Sequence, residues 1–236
     1  MKNTIIFAVL FAVITSSCND EVKLTGRTIT VNYPQTENYF SGVAVQDGIR
    51  LIYKQGDSES VSAVMDEALE PYFRHEHKQR ILFFRFDKAA ELPTNHNVTV
   101  TVSSVDVSSL TGDGSTITVN DAVKSGRMTV TLLNGASLTG GVFECPYMTI
   151  NMNQNSQAVF DGTVRNFSAG MTNGCDLKAF DLNADSVSVG IHNGCSAEVT
   201  ANMLLNVKAS SGSKLTYKGS PELGELEFDD SEIVKF

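Results

Sequence analysis

Three groups of side chains have types and spacings from which chemistry could be built. Cys175 and Cys195 each follow an Asn-Gly pair, 20 residues apart. In a secreted protein such a pair is either bridged or buried as two small apolar side chains, and the second outcome is expected here. His75-Glu76-His77 sets two imidazoles on one face of a strand without a carboxylate beside them, and His96 and His192 are far away in sequence. Two ligands make a weak metal site, so no metal is expected, and both rings are expected in solvent beside Arg74 and Lys78. Asp161 and Asp181 occupy comparable places one period apart, the kind of carboxylate pair a glycoside-cleaving enzyme uses. The remaining acids of that region, Glu144, Asp176, Asp185 and Glu198, are scattered, and its bases are Arg165, Lys178, Lys208, Lys214 and Lys218. Such dispersion describes solvated corner residues better than a lyase or hydrolase centre, so no catalytic residue and no cofactor are expected.

The elements that carry these residues repeat. Between Thr111 and Gly219 one corner pattern returns six times: Asp113-Gly114-Ser115, Asn134-Gly135-Ala136, Gln154-Asn155-Ser156, Asn173-Gly174-Cys175, Asn193-Gly194-Cys195 and Ser211-Gly212-Ser213. The middle residues lie 21, 20, 19, 20 and 18 positions apart, a period that belongs to stacked units rather than to one closed core. Five and three places before each middle residue, and one, three and five after it, the side chains are mostly apolar or small, as in Val189, Ile191, Cys195, Ala197 and Val199. Alternation on both sides of a turn describes two half-buried strands per unit, whereas a helix would need spacings of three and four. If each unit is one turn of a superhelix, like residues stack in columns and Gly or Asn supplies the left-handed corner. The expected fold is an all-β, right-handed parallel β-solenoid with two sheets and coils of about 20 residues. In it Cys175 and Cys195 share a small-residue column with Ala136, Ser156 and Ser213, while Cys145, before Pro146, lies in a far corner without an evident partner.

Residues 1–17 hold Lys2, an apolar run from Ile5 to Ile14 and then Thr15-Ser16-Ser17, a secretory signal too short to span a bilayer. Cys18 follows, and the segment resembles a bacterial lipoprotein signal, in which that cysteine becomes the lipidated first residue. Several acyl chains on Cys18 would anchor the chain without a transmembrane helix. Removing the signal removes one lysine from 18 bases and none of 27 acids, so the mature net charge is 17 − 27 = −10. This excludes nucleic acid as a partner and leaves the lipid as the only expected contact with membrane.

Residues 18–27 are expected as lipidated cysteine and tether, 28–110 as a less regular, aromatic-rich strand region, 111–221 as solenoid repeats and 222–236 as a C-terminal cap strand. Within the second of these, Thr28 to Tyr33, Gly42 to Val45, Ile49 to Tyr53, Ser60 to Val64, Ile81 to Phe86 and Asn97 to Val107 alternate as strands. Asp47-Gly48 is a hairpin signal, and Glu67 to Phe73 forms a helical turn broken at Pro71.

The run Phe40-Ser41-Gly42-Val43-x-Val45-x-Asp47-Gly48-Ile49-x-Leu51-x-Tyr53-x-Gln55-Gly56, then the acidic patch, Ile81-Leu82-Phe83-Phe84, Val98 to Val102 and Gly112-Asp113-Gly114-Ser115, resembles the head GIN domain family of bacterial auto-transporter adhesins. The resemblance covers roughly residues 37–220. It implies a Bacteroidetes lipoprotein, a two-sheet β-superhelix with tight Gly-Ser-Gly-like corners, and an adhesive role; this chain places Asn-Gly-Cys or Asn-Gly-Ala at several of those corners. It also implies an outer-membrane location, facing the outside or, alternatively, the periplasm.

Surface is what remains for function. Outward positions six and four before each corner read Thr129 and Thr131, Thr149 and Asn151, Ser168 and Gly170, Ser188 and Gly190, Asn206 and Lys208. This makes a flat face of hydroxyls and amides with one charge, suited to many weak hydrogen bonds with a glycan or to a host or neighbouring-cell protein. The face after the corners ends in Asp176, Lys178, Glu198 and Lys214, and scattered charge discourages a flat partner. A non-catalytic adhesin using Thr129, Thr131, Thr149, Asn151, Ser168, Ser188 and Asn206 is therefore the leading expectation. A carbohydrate-active β-helix enzyme and a structural envelope lipoprotein without external ligand stand as alternatives.

Overall fold

The computed structural model describes residues 21–34, 39–87 and 91–236, so the signal segment and Cys18 lie outside the described residues. In chain order the strands are β1 (Thr28–Tyr33), β2 (Gly42–Val45), β3 (Arg50–Gln55), β4 (Ser60–Asp66), β5 (Phe73–Lys78), β6 (Ile81–Phe86), β7 (Thr99–Ser104), β8 (Ser109–Asp113) and β9 (Thr116–Lys124). They continue as β10 (Met128–Leu133), β11 (Ser137–Asn153), β12 (Gln157–Thr172), β13 (Asp176–His192), β14 (Ser196–Ser210), β15 (Lys214–Lys218), β16 (Glu222–Asp229) and β17 (Glu232–Lys235). Strands hold 68% of the residues and helix 3%, so the backbone hydrogen bonds run between turns of a β-solenoid rather than inside local elements.

Six turns follow one another from Ser109 to Lys218. Before the corners, β8, β10 and the second halves of β11 to β14 pair in parallel. After them, β9, the first halves of β11 to β14 and β15 do the same. The alternation places one apolar column inside each sheet: Val130, Ile150, Ala169, Val189 and Val207 stack in register, none more than 3% exposed. Phe143, Phe160 and Phe167 meet edge to face at 5.6 and 6.1 Å and are buried in the interior.

The tight corners explain their own composition. Asn173 and Asn193 take φ of 63° and 58°, and Gly174 and Gly194 follow at 72° and 71°; two consecutive left-handed residues are tolerated best by Asn and Gly. Each corner donates to the next, Gly174 N to Asn193 O at 3.0 Å and Gly194 N to Ser211 O at 2.9 Å. The asparagine amides form a parallel ladder, Asn193 Nδ2 to Asn173 Oδ1 at 3.0 Å and Asn173 Nδ2 to Asn153 Oδ1 at 2.8 Å. At four of the six corners the small residue that follows closes the turn: the hydroxyls of Ser156 and Ser213 and the thiols of Cys175 and Cys195 all donate to the carbonyl three residues back, at 2.7 to 3.1 Å.

The N-terminal strands correct one expectation. Asp47-Gly48 does not make a hairpin: β2 pairs in parallel with β6 and β8, and β3 with β7 and β9. Two left-handed residues serve a hairpin or a solenoid corner equally, and here both edges of each flanking strand are taken by other rows, so Gly48 N donates to Gly114 O at 3.0 Å as any corner glycine does. The stacking therefore reaches back to Gly42, and its spatial order departs from chain order. The row β2–β3 lies between β6–β7 and β8–β9. Beyond β6–β7 the stack ends in antiparallel strands, β5 on β6 and β4 on β7 with β1 outside it. A 3-10 turn, Glu67–Tyr72, joins β4 to β5 with Pro71 inside it, and the Asp66 carboxylate accepts from the amides of Ala68, Thr25 and Gly26.

At the other end the tail forms two strands, not one. β16 continues the first sheet and β17 the second. Both cover the row beneath, but Leu223, Leu226 and Phe228 of this last row remain 47%, 38% and 58% exposed, so the tail extends the solenoid instead of closing it.

Candidate functional site

The outward residues of the sheet before the corners lie in register. One column runs Thr129, Thr149, Ser168, Ser188, Asn206, and its neighbour runs Thr131, Asn151, Gly170, Gly190, Lys208. Asn151, Ser168 and Ser188 are exposed, while Thr129, Thr131, Thr149 and Asn206 are partly covered by the rows beside them. All seven residues expected from the sequence thus share one face.

The face is not flat, however. Gly170 and Gly190 are adjacent and have no side chains, so a trough of about 410 Å³ opens over their backbone, walled by Asn151, Ser168, Ser188, Asn206, Lys208 and Glu225. Lys208 closes one end, its ammonium held by Glu225 at 3.0 Å and Glu227 at 3.2 Å. Hydrogen bonds to those carboxylates raise the lysine pKa, and Lys208 in turn lowers that of Glu225. The ionised groups of the face thus gather at this end, one lysine between two carboxylates. Asn206 is also fixed, since its Oδ1 accepts from the Glu225 amide at 2.8 Å.

The opposite sheet carries its charge outward, with Lys178 3.8 Å from Asp176 and Lys214 3.0 Å from Glu232. Asp161 and Asp181 are both exposed and lie outside the groove of about 610 Å³ at the far corner. That groove brings together Glu144, Arg165 and Asp185, with Cys145 in its wall, and the Glu144 carboxylate is 3.1 Å from the Lys124 ammonium. Burial pushes the Cys145 thiol above its usual pKa, the reverse of what a nucleophile needs.

Cys175 and Cys195 are buried free thiols. Each is part of the corner ladder: the Cys175 amide donates to the Cys195 sulfur at 3.4 Å, and the Cys195 amide to the Ser213 hydroxyl at 3.3 Å. The two histidines correct an expectation. Addition of β5 to β6 turns the face bearing Phe73, His75 and His77 toward the interior, where His75 stacks on Phe84 at 5.2 Å and meets the tilted ring of Tyr33 at 4.5 Å. Both Nε2 atoms are buried without a hydrogen-bond partner, and burial lowers the His75 pKa, with His77 adding to the effect.

One feature of this edge escaped the sequence reasoning. Eight places before their corners, Arg127 and Tyr147 stand one period apart, and the guanidinium lies 4.9 Å from the ring centroid. Three rows away Arg80 lies 4.5 Å over Tyr39, whose hydroxyl donates to Asp106 at 2.8 Å. Periodicity could have found the first pair. Nothing in the sequence joins Tyr39 to Arg80 or Asp106.

Solved structures share this architecture. A "putative adhesin" from Bacteroides fragilis aligns with TM-score 0.81 at 14% identity, covering 90% of this chain and 99% of that one. A "putative lipid binding protein" from Parabacteroides distasonis gives 0.74 at 17%, covering 92% and 100%, and a "putative adhesin" from Parabacteroides merdae 0.67 at 16%, covering 92% and 99%. At such identities the likeness is one of fold. No curated protein sequence matches the chain. The profile of the family described as "Putative auto-transporter adhesin, head GIN domain" matches residues 39–221, from the first solenoid row to the start of the last, and the chain belongs to that family.

Proposed function

We propose that the protein is a non-catalytic adhesion module, anchored in the outer membrane by lipid on Cys18 and facing outward, that holds glycans or proteins of another surface against the sheet before its corners. The observation that carries this reading is the neutrality of that face. Four successive rows offer Thr129 and Thr131, Thr149 and Asn151, Ser168 and Gly170, Ser188 and Gly190 before any ionised side chain occurs in these columns. A repeated polar surface binds a repeated ligand by summing weak hydrogen bonds, and an uncharged one loses little to desolvation. The acids Asp161 and Asp181 stand outside the groove that gathers Glu144 and Asp185 with Arg165, which favours adhesion over carbohydrate cleavage.

The test is Thr131→Lys with Asn151→Lys on cells displaying the protein. Both side chains point away from the core, so the melting temperature should stay within about 2 °C of the parent. Adhesion to host cells or to immobilised glycans should fall severalfold through lost hydrogen bonds and new charge. Adhesion equal to the parent's by the folded double variant would remove the face from consideration. In the same experiment Cys18→Ala should abolish labelling by a radioactive fatty acid and release the protein from the membrane fraction; retained label would reject the anchor.

A further inference from the structure

We propose that Tyr39 and Tyr147 are two stacking platforms for sugar rings at one edge of the adhesion face, and that the partner is an oligosaccharide long enough to reach both. The proposal rests on the adhesive reading of this face and names the ligand class for it.

Both rings are 42% exposed, in a chain whose Phe40, Tyr53, Phe84, Phe143 and Phe160 are fully buried. Both are held in the same way. A guanidinium covers one face of each phenol, Arg80 on Tyr39 and Arg127 on Tyr147, and the Tyr39 hydroxyl is tied to Asp106. A ring fixed before binding loses little conformational entropy when a ligand arrives, and tyrosine offers a large contact area with only two side-chain torsions. The two platforms belong to the rows of β2 and of β11, with β8 and β10 between them. Three strand spacings put those two rows about 14 Å apart. In the two intervening rows Ser109 and Thr129 share one column in register with Thr149, so hydroxyls line the rows between the two rings.

This arrangement selects among partners. A protein partner packs a continuous apolar centre surrounded by polar groups. Two isolated rings set among hydroxyls, a carboxylate and two guanidiniums suit a molecule whose apolar C–H faces recur at intervals between hydroxyl groups, which is the chemistry of a saccharide chain.

The experiment uses the full chain on immobilised oligosaccharides of two to six sugars, followed by calorimetry with the tightest of them. Tyr39→Ala and Tyr147→Ala should each weaken binding of the longer saccharides about fivefold. Tyr147→Phe should bind as the parent does, and a disaccharide, too short to span the platforms, should respond to one alanine substitution only. Melting curves confirm that each variant is folded; for Tyr39, Tyr39→Phe separates the ring from its bond to Asp106. If both alanine variants bind within twofold of the parent while the Thr131→Lys, Asn151→Lys variant loses binding, the platforms are refuted and the adhesive face stands. A parent chain that binds no saccharide refutes the proposal whatever its behaviour on cells.

Discussion

Replacing Gly162 by alanine tests the geometry of the far corner. Gly162, in β12, has φ of 142°, and a Cβ there would press on the carbonyl oxygen of Phe143 and stand 2.6 Å from its amide nitrogen. Neither atom can retreat cheaply, because the Phe143 side chain is fully buried and locked edge to face against Phe160. The backbone conformation alone costs an L-residue about 1–3 kcal/mol, and forcing packed groups apart adds about 1–3 kcal/mol. Together these amount to about 4 kcal/mol, or about 8–16 °C in melting temperature for a chain of this size. Gly194→Ala is the comparison. Its φ is 71°, and nothing lies within 4 Å of its added Cβ, so only the left-handed penalty of about 1 kcal/mol applies, about 2–4 °C. Thermal unfolding followed by circular dichroism reads both. Equal losses in the two variants, or a Gly162→Ala protein melting within 2 °C of the parent, would refute the argument that close approach of adjacent rows fixes this glycine.

Two further perturbations address the corners and the cap. Cys195→Ser keeps an acceptor for the Cys175 amide and a donor to His192 O and should be nearly neutral, whereas Cys195→Val leaves that buried amide unpaired at about 2 kcal/mol, roughly 4–8 °C. A serine variant as unstable as the valine variant would show that packing, not the ladder, selects this position. For His75 the folded pKa lies below the ordinary value of 6.5 because burial disfavours the charged ring. The unfolded chain therefore binds the proton first, and stability present above pH 6.5 is lost as pH falls through that value toward the folded pKa. Titratable groups around this ring include His77 beside it, Tyr33 against it and Glu70 near Tyr33. Urea midpoints at pH 7.5 and 5.5 should fall less for His75→Phe, which keeps the ring stack, than for the parent; equal falls would exclude His75 as the source.

Much of the architecture is readable from residue order because the repeat restricts it. With Val130, Ile150, Ala169 and Val189 recurring at one spacing and a Gly or Asn at the middle of every corner, parallel stacking in register is the arrangement that buries all of them together while leaving Thr, Asn and Ser outside. The seven residues of the proposed face came from the same logic, since alternation decides which side chains point outward. The aromatic edge came only half into view: Arg127 and Tyr147 obey the period, but Tyr39 and Arg80 are 41 residues apart and meet only because β2 and β6 are paired.

Tertiary structure alone decided matters in which local pattern is degenerate. Asp47-Gly48 has the backbone of a hairpin and of a solenoid corner alike, and competition for strand edges, not the turn, chose the corner. The insertion of β2–β3 between β6–β7 and β8–β9 depends on contacts between rows that chain order does not encode. His75 and His77 alternate as a solvated strand would, yet antiparallel addition to β6 turns that phase toward Phe84. The trough over Gly170 and Gly190 exists because register aligned two missing side chains. Sequence thus determined the period, the corners and the two faces, which are properties of neighbours along the chain. Row order, caps and hollows followed from which distant strands win a shared edge, and that is settled by the free energy of the whole stack.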